Sequence, residues 1–554
     1  MSTMTIAAPR WIRLAVVLAG TVLGALGVLA GPPSPASAHA ALVRKSPAAN
    51  AVLATAPAEV VLTFSEPVRA VSDKVRVVGP DGERADAGEP TVSGKALTIP
   101  LRPGGARGTY LVSYRVVSAD SHPVAGGYSY AVGAPSSTPP VASAGDDVDP
   151  VVDGAVHVAK YLGYAGLVLT LGPVLVLMLL WPARLPRRLP TRVVWLGLGL
   201  TALSTVAGMV LQAPYTAGGG ITEVTGADVR DVLQSQFGTA YLIRLGILGA
   251  AALLLRPVLA GRGALADRVL LAVLGVVGIV TWPLSGHAGA SPAPAVSVVA
   301  DAVHVASMAV WLGGLVMLVG FLLPLADDRE LGAILPIWAR WAALAVCALL
   351  LAGTVQALIE VGTPKALIET AYGQLVLVKI GLFAGVIAVA AYSRRMVRTW
   401  TAMRRPGHMR RAIWAELGIT AVVLAVSTVL VQTTPARTAV ANADLAEATF
   451  YSATLRSDLY SLQVEVDPAR VGINEVHLYA YAPDGRQQPV VEWSATAALP
   501  AQGLEPIDIP LVRIPENHAY GEVTLPAPGD WQLRFTLRTS EIDQATVTAT
   551  VAIT

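Results

Sequence analysis

Cysteine is nearly absent: Cys347 is the only one in 554 residues, and it lies within an apolar run. A single thiol builds neither a disulfide framework nor a cysteine-ligated zinc site, so both are excluded. Charge is scarce as well, with Asp, Glu, Lys and Arg making up 14% of the chain, against about a quarter in soluble domains. The 40 basic and 38 acidic side chains nearly cancel, to +2, which gives no case for a nucleic-acid partner. No P-loop or phosphorylatable transport motif is present, no internal repeat is evident between the two β regions described below, and no methionine falls between Met4 and Met178. What the chain has is apolar surface: 54% of its residues, with a mean hydropathy of +0.57. A soluble cytosolic enzyme is excluded, because much of this chain must have lipid as its solvent.

The apolar residues are distributed unevenly. Arg10 and Arg13 precede the run from Leu14 to Gly31, a Pro-rich break follows, and Ala36-Ser37-Ala38 has the small-x-small form read by signal peptidase. Residues 1–38 are expected to be a signal peptide whose removal makes His39 the first residue; an uncleaved anchor is the alternative. Residues 39–134 alternate as strands do, with Val60, Leu62 and Phe64 against Val61, Thr63 and Ser65, and with turn clusters such as Gly79-Pro80-Asp81-Gly82. They predict an all-β sandwich or barrel, followed by a Pro, Ser and Asp-rich linker at 135–153. Residues 154–433 carry eight apolar runs of about 20 residues, each long enough to cross a bilayer as a helix. Arginine clusters at Arg184–Arg192, Arg256–Arg268 and Arg394–Arg411 fall in alternate loops, which the positive-inside rule assigns to the cytoplasm. An even number of spans then leaves both flanking regions outside. Residues 438–554 alternate again (Trp531, Leu533, Phe535 and Leu537 against Gln532, Arg534, Thr536 and Arg538) and predict a second extracytoplasmic β-sandwich.

Eight histidines punctuate this plan. A first-residue His39 offers an α-amine and an imidazole together, and Asp120 and His122 offer a carboxylate and a second imidazole. Such a tetragonal N/O set suits Cu(II); a turn-capping His122 and a frayed His39 are the bland alternative. Ionisable groups inside membrane spans usually mark function. His157 begins span one, His287 ends span four, and Asp301, His304, Met308 and Trp311 share one face of span five at i, i+3, i+7 and i+10. Imidazole with thioether suits Cu(I), and imidazole with carboxylate suits Cu(II). The sequence therefore suggests an acceptor at the bundle's mouth formed by His157, His304 and Met308. His287 would lie alongside, Met209 would add a soft ligand, and Asp301 would orient a ring; solvated headgroup-level histidines are the competing view. Arg244 and Lys379 are expected to pair with Glu360 or to snorkel. A metal role for His477 and His518 needs them to meet, and separate surface positions are the simpler expectation.

The residues His39-Ala40, Phe64-Ser65-Glu66-Pro67 and Ser118-x-Asp120-x-His122-Pro123-x-x-Gly126 resemble the CopC family of copper proteins. That resemblance implies a Cu(II) site at His39, Asp120 and His122 with Glu66 near it, and, without methionine in this region, no Cu(I) site of the methionine-loop kind. Asp301-Ala302-Val303-His304, Trp311-Leu312-Gly313-Gly314 and Gly373-Gln374-Leu375 resemble the CopD membrane family, which is found fused to CopC-like domains. Pro526-Ala527-Pro528-Gly529-Asp530-Trp531 resembles a YtkA-like sandwich. The expectation is a plasma-membrane, non-enzymatic copper protein that captures Cu(II) outside and passes it to the bundle, serving copper uptake, homeostasis and resistance. Its partners would be copper ions, the bilayer and extracytoplasmic copper proteins. A haem-containing cupric reductase using paired histidines, and a non-transporting copper buffer or sensor, are the alternatives.

Overall fold

The computed structural model describes residues 40–133 except 50 and 54, then 148–398, 406–447, 451–483, 486–513 and 517–553. His39, the leader 1–38 and the linker up to 147 lie outside the described residues. Strands β1 (Leu42–Ser46), β2 (Val52–Leu53), β3 (Glu59–Phe64), β4 (Arg69–Ala70), β5 (Arg76–Val78), β6 (Thr91–Ser93), β7 (Ala96–Pro100), β8 (Gly108–Val117) and β9 (Pro123–Val132) form the first β region. They make two sheets, β1-β3-β7-β6 and β2-β9-β8-β4, with β5 also on β8. The alternation decides which faces meet: Val60, Leu62 and Phe64 of β3 pack with Val112, Tyr114 and Val116 of β8 in one core. Within this region Asp86 is buried, and its Oδ1 accepts from Val77 N at 3.0 Å. Arg84 Nη2 donates to Oδ2 at 2.7 Å. Burial alone would raise this carboxyl's pKa, but the Arg84 and Val77 donors outweigh it and hold the group below its usual value.

Eight helices are long and apolar enough to cross a membrane: Pro150–Leu179, Arg188–Ala217, Gln236–Leu259, Leu265–Ser285, Pro294–Leu325, Asp328–Val361, Ala371–Arg395 and His408–Leu430. Their outward faces show why lipid suits them. Leu189, Leu196, Leu203 and Val210 recur every seventh residue on the second span and are 56–60% exposed. Leu344, Leu351 and Leu358 do the same on the sixth at 70–72%. An unbroken apolar stripe of this kind is costly in water and costs nothing in hydrocarbon. Inside, the first and fifth spans approach through glycine. A Cβ on Gly172 would lie 2.6 Å from Gly313 Cα, so only the missing side chain permits the contact, a small-residue packing common between membrane helices.

Two boundaries differ from the sequence expectation. The first span begins at Pro150, inside the stretch read as linker, because Asp149 caps it: Oδ1 accepts from Val151 N and Val152 N, and Pro150 occupies the first helical position. The last region, expected to be β from 438, opens instead with a helix, Ala436–Glu447. Beyond it, β10 (Tyr451–Arg456), β11 (Ser461–Asp467), β12 (Gly472–Tyr481), β13 (Glu492–Leu499), β14 (Leu504–Asp508), β15 (Leu511–Arg513), β16 (His518–Leu525), β17 (Gly529–Arg538) and β18 (Gln544–Ile553) form sheets ordered β10-β11-β12-β16-β15 and β14-β13-β17-β18. Trp531, Leu533, Phe535 and Leu537 point inward from β17 against Leu462, Val464, Val476 and Leu478 of the other sheet.

The chain separates into two units. One holds the helical stretch as far as Val440 together with the short turn Ser118–Pro123; the other holds both β regions.

Substituting Asp86→Asn is expected to cost the first β region about 1–3 kcal/mol at pH 7, read as faster hydrogen exchange across Arg76–Val78 in the full chain. A carboxyl with a depressed folded-state pKa stabilises above its unfolded value near 3.8 and loses that contribution as pH falls through the folded value. The difference between variant and wild type should therefore shrink below about pH 4; equal exchange at pH 7 would contradict the role given to Asp86.

Candidate metal centre

The turn between β8 and β9 is tied together by its own polar groups. Ser118 N donates to His122 O at 3.0 Å and Ser121 N to Ser118 O at 2.9 Å. Ser118 Oγ donates both to Asp120 Oδ1 and to His122 O. Closing so tight a loop forces Ser121 into the left-handed region, φ 70°, which few non-glycine residues occupy. Gln212, near the end of the second span, holds it there by donating from Nε2 to Ser121 O at 2.8 Å.

Asp120 and His122 thereby meet His287, which lies in the short helical turn His287–Ala290 between the fourth and fifth spans. Among the described residues these three form the one group of three or more side chains placed to hold a metal ion, each offering an atom within 4.8 Å of the others. His287 Nδ1 is 2.8 Å from Asp120 Oδ2, and His122 Nδ1 is 3.3 Å from Asp120 Oδ1. The two imidazoles stack with centroids 4.8 Å apart, and the Tyr215 ring meets His122 edge-on at 6.3 Å. All three residues are 9% exposed or less.

The second nitrogen of His122 fixes the tautomer. Nε2 is 3.1 Å from Gln432 Oε1, an oxygen that also accepts from the Lys160 ammonium. An oxygen receiving that proton is an acceptor, so His122 donates from Nε2. Its Nδ1 then faces the Asp120 carboxylate, a pairing satisfied by a metal ion or by a second proton on the ring. The groups come from the start of span one, the ends of spans two and four, and the residues after span eight. Counting alternate directions, these lie at one end of the bundle.

The other candidates are dispersed. Glu66 is completely buried just after β3 and is not a member of this group. His287, expected beside His157 and His304, sits instead with Asp120 and His122. His157 Nδ1 donates to the carbonyl of Asp153 one turn back, at 2.8 Å. His304 Nδ1 donates to Leu349 O at 3.0 Å, and Asp301 accepts from Gln356 Nε2 at 2.7 Å, so both face the sixth span. Gly353 makes room there, since a Cβ would lie 3.0 Å from His304 Cε1. Met308 packs with Leu167, Val305 and Ala309. Met209 packs with Ala213, Phe237 and Tyr241, where ring contacts suit a thioether as core filler. Arg244 does not reach Glu360: it donates to Thr281 Oγ1 and O at 2.9 and 2.8 Å, between the Tyr241 and Trp282 rings. Glu360 pairs with Arg437 at 3.3 Å. His477 and His518 do meet, with Nδ1 and Nε2 3.1 Å apart. Burial, then the charge of Arg44, lowers His477 to about 4. Burial, then His477 and Arg44, lowers His518 to about 4.

Comparisons with known proteins match three stretches of the chain. Residues 42–133 match the CopC domain, 151–296 the copper resistance protein D-like N-terminal domain, and 332–430 copper resistance protein D. The copper transport protein CutJ of Bacillus subtilis (strain 168) is 26% identical over 418 residues, 71% of this chain and 74% of that protein. Protein YobA of Escherichia coli (strain K12) is 37% identical over 98 residues, 17% of this chain and 79% of that protein. The crystal structure of CopC from Methylosinus trichosporium OB3b is 29% identical, covering 18% of this chain and 98% of that one, with a TM-score of 0.16. The chain belongs to the copper resistance and transport family in which a CopC domain is joined to CopD membrane helices.

Gln432→Leu removes the acceptor that fixes the His122 tautomer. Equilibrium dialysis of the full chain against Cu(II) should show affinity about 10- to 100-fold weaker; unchanged affinity would mean that Gln432 does not position this ring.

Proposed function

We propose that this chain captures Cu(II) outside the cytoplasm and passes it into its helical bundle for uptake. The observation that supports this reading is the meeting of Asp120 and His122, from the CopC turn, with His287, from a loop between membrane spans. A site whose ligands come from both sources lets an ion exchange one ligand at a time, so no step leaves it bare. After removal of the leader, the His39 amine and imidazole would complete a tetragonal N/O set of the kind Cu(II) prefers. His304, with Asp301 and Met308 on the same face of span five, is the next acceptor inward, and His157 lines the mouth.

The driving force follows from charge. With no P-loop or phosphorylatable transport motif in the sequence, the metal moves on its own gradient and on the membrane potential. For a divalent ion that potential is worth roughly 4.6 kcal/mol per 100 mV, twice the single-charge figure, and an interior-negative membrane favours entry.

Copper accumulation measured in cells lacking the chain and re-supplied with wild type, His287→Ala or His304→Ala tests this. Wild type should raise cell copper, and both variants should fall to the level of cells without the protein. Variants that accumulate copper like wild type would leave the bundle without its proposed route. Wild-type cells that hold no more copper than the deletion would favour an extracytoplasmic buffer.

A further inference from the structure

The last β region carries a second pair of imidazoles, neither of them among the residues used so far. Strand β12 pairs with β16 so that His477 stands opposite Tyr520 and Tyr479 opposite His518. The two histidines are thus diagonal neighbours on one sheet face, a separation that long side chains bridge. Their rings lie 5.4 Å apart and 22° from parallel, with His477 Nδ1 and His518 Nε2 separated by 3.1 Å. Tyr479 stacks on His518 at 4.2 Å and Tyr520 leans over His477 at 5.0 Å, so neither ring swings freely.

Carboxylates surround the pair. Glu475 Oε2 lies 3.7 Å from His477 Nε2, the nitrogen turned away from His518. The register sets Glu465 opposite His477 on β11, Asp467 opposite Glu475, and Glu522 opposite Glu475 on β16. Arg44 is the cation acting on both imidazoles, and Lys45 and Arg470 join it around Asp467. A carboxylate at the outer nitrogen of a histidine whose inner nitrogen faces a second imidazole is the arrangement that fixes tautomer and orientation in metal-bound histidines.

From this geometry we infer that His477 Nδ1 and His518 Nε2 form a second metal site, for a borderline divalent cation with Cu(II) foremost. The spacing selects the ion's geometry. Two nitrogens 3.1 Å apart, each about 2.0 Å from a shared ion, subtend roughly 100° at it. That angle fits tetrahedral or cis-square-planar coordination and excludes the linear two-coordinate arrangement available to Cu(I). Among divalent ions offered to an N/O set, Cu(II) binds tightest. Water and the neighbouring carboxylates supply the remaining positions. This site shares no ligand with the Asp120, His122 and His287 group, so it stands or falls independently of the uptake reading.

The test is Cu(II) stoichiometry on the full chain, made in a His122→Ala background so that the first site is weakened in every sample. Equilibrium dialysis with electron paramagnetic resonance should show one Cu(II) with imidazole nitrogen couplings. Adding His477→Ala or His518→Ala should each remove that equivalent, whereas His408→Ala, at the start of the eighth span, should not. Hydrogen exchange across Gly529–Arg538 distinguishes site loss from misfolding, and His518→Gln, which keeps side-chain volume, should also lose the ion. Retention of the same equivalent and the same nitrogen couplings in correctly folded His477→Ala and His518→Ala would overturn the site.

Discussion

A buried carboxylate between two imidazoles organises the functional end of this molecule. Asp120 is 2% exposed, and an ionised carboxylate removed from water costs several kcal/mol unless charged or hydrogen-bonding partners replace the solvent. Here the partners are the Ser118 hydroxyl, the His122 amide and the rings of His122 and His287. Each is needed in place, which explains why the turn accepts a left-handed Ser121 and why Gln212, in the second span, and Gln432, just after the eighth, both reach it. The same requirement brings one carboxylate and two imidazoles within 4.8 Å of one another, a group that could hold a metal ion.

The bundle supplies the rigidity that such a set needs. Helices that approach through Gly172 and Gly313, and outward stripes such as Leu344, Leu351 and Leu358, separate a closely packed interior from a lipid-facing exterior. The loop bearing His287 is anchored from below by Arg244, whose guanidinium is held by Thr281 and by the Tyr241 and Trp282 rings. This cation was expected to seek Glu360; it serves instead to fix the end of the fourth span, holding Thr281 and reaching Ser285 Oγ, two residues before His287, at 3.4 Å. Polar groups buried at the end of a bundle, each with named partners, are the setting in which an ion can shed water without an energetic gap.

Much of this architecture could be read from the chain. Twenty-residue apolar runs mark spans because bilayer thickness sets their length, and Val60, Leu62, Phe64 or Trp531, Leu533, Phe535 mark half-buried strands because side chains alternate. The family resemblance was legible in Asp120-x-His122 and Asp301–His304. Contacts between distant segments were not. Asp120 and His287 are 167 residues apart, and no spacing rule joins a turn between strands to a loop between spans. His477 and His518 meet only through the register of β12 and β16, which the sequence leaves undetermined. Met209 had the right chemistry for a soft ligand, but Phe237 and Tyr241 surround it. The helix Ala436–Glu447 lies just after a membrane span, where no apolar periodicity announced it.

The central claim is that His287 and the CopC turn hold the same ion, and pulsed electron paramagnetic resonance of the full chain carrying one equivalent of Cu(II) tests it most directly. Spectra of wild type and His287→Ala, both in a His477→Ala background, should differ by one equatorial imidazole. Identical imidazole modulation in the two proteins would show that copper on the turn never engages the membrane loop, and the account would fail.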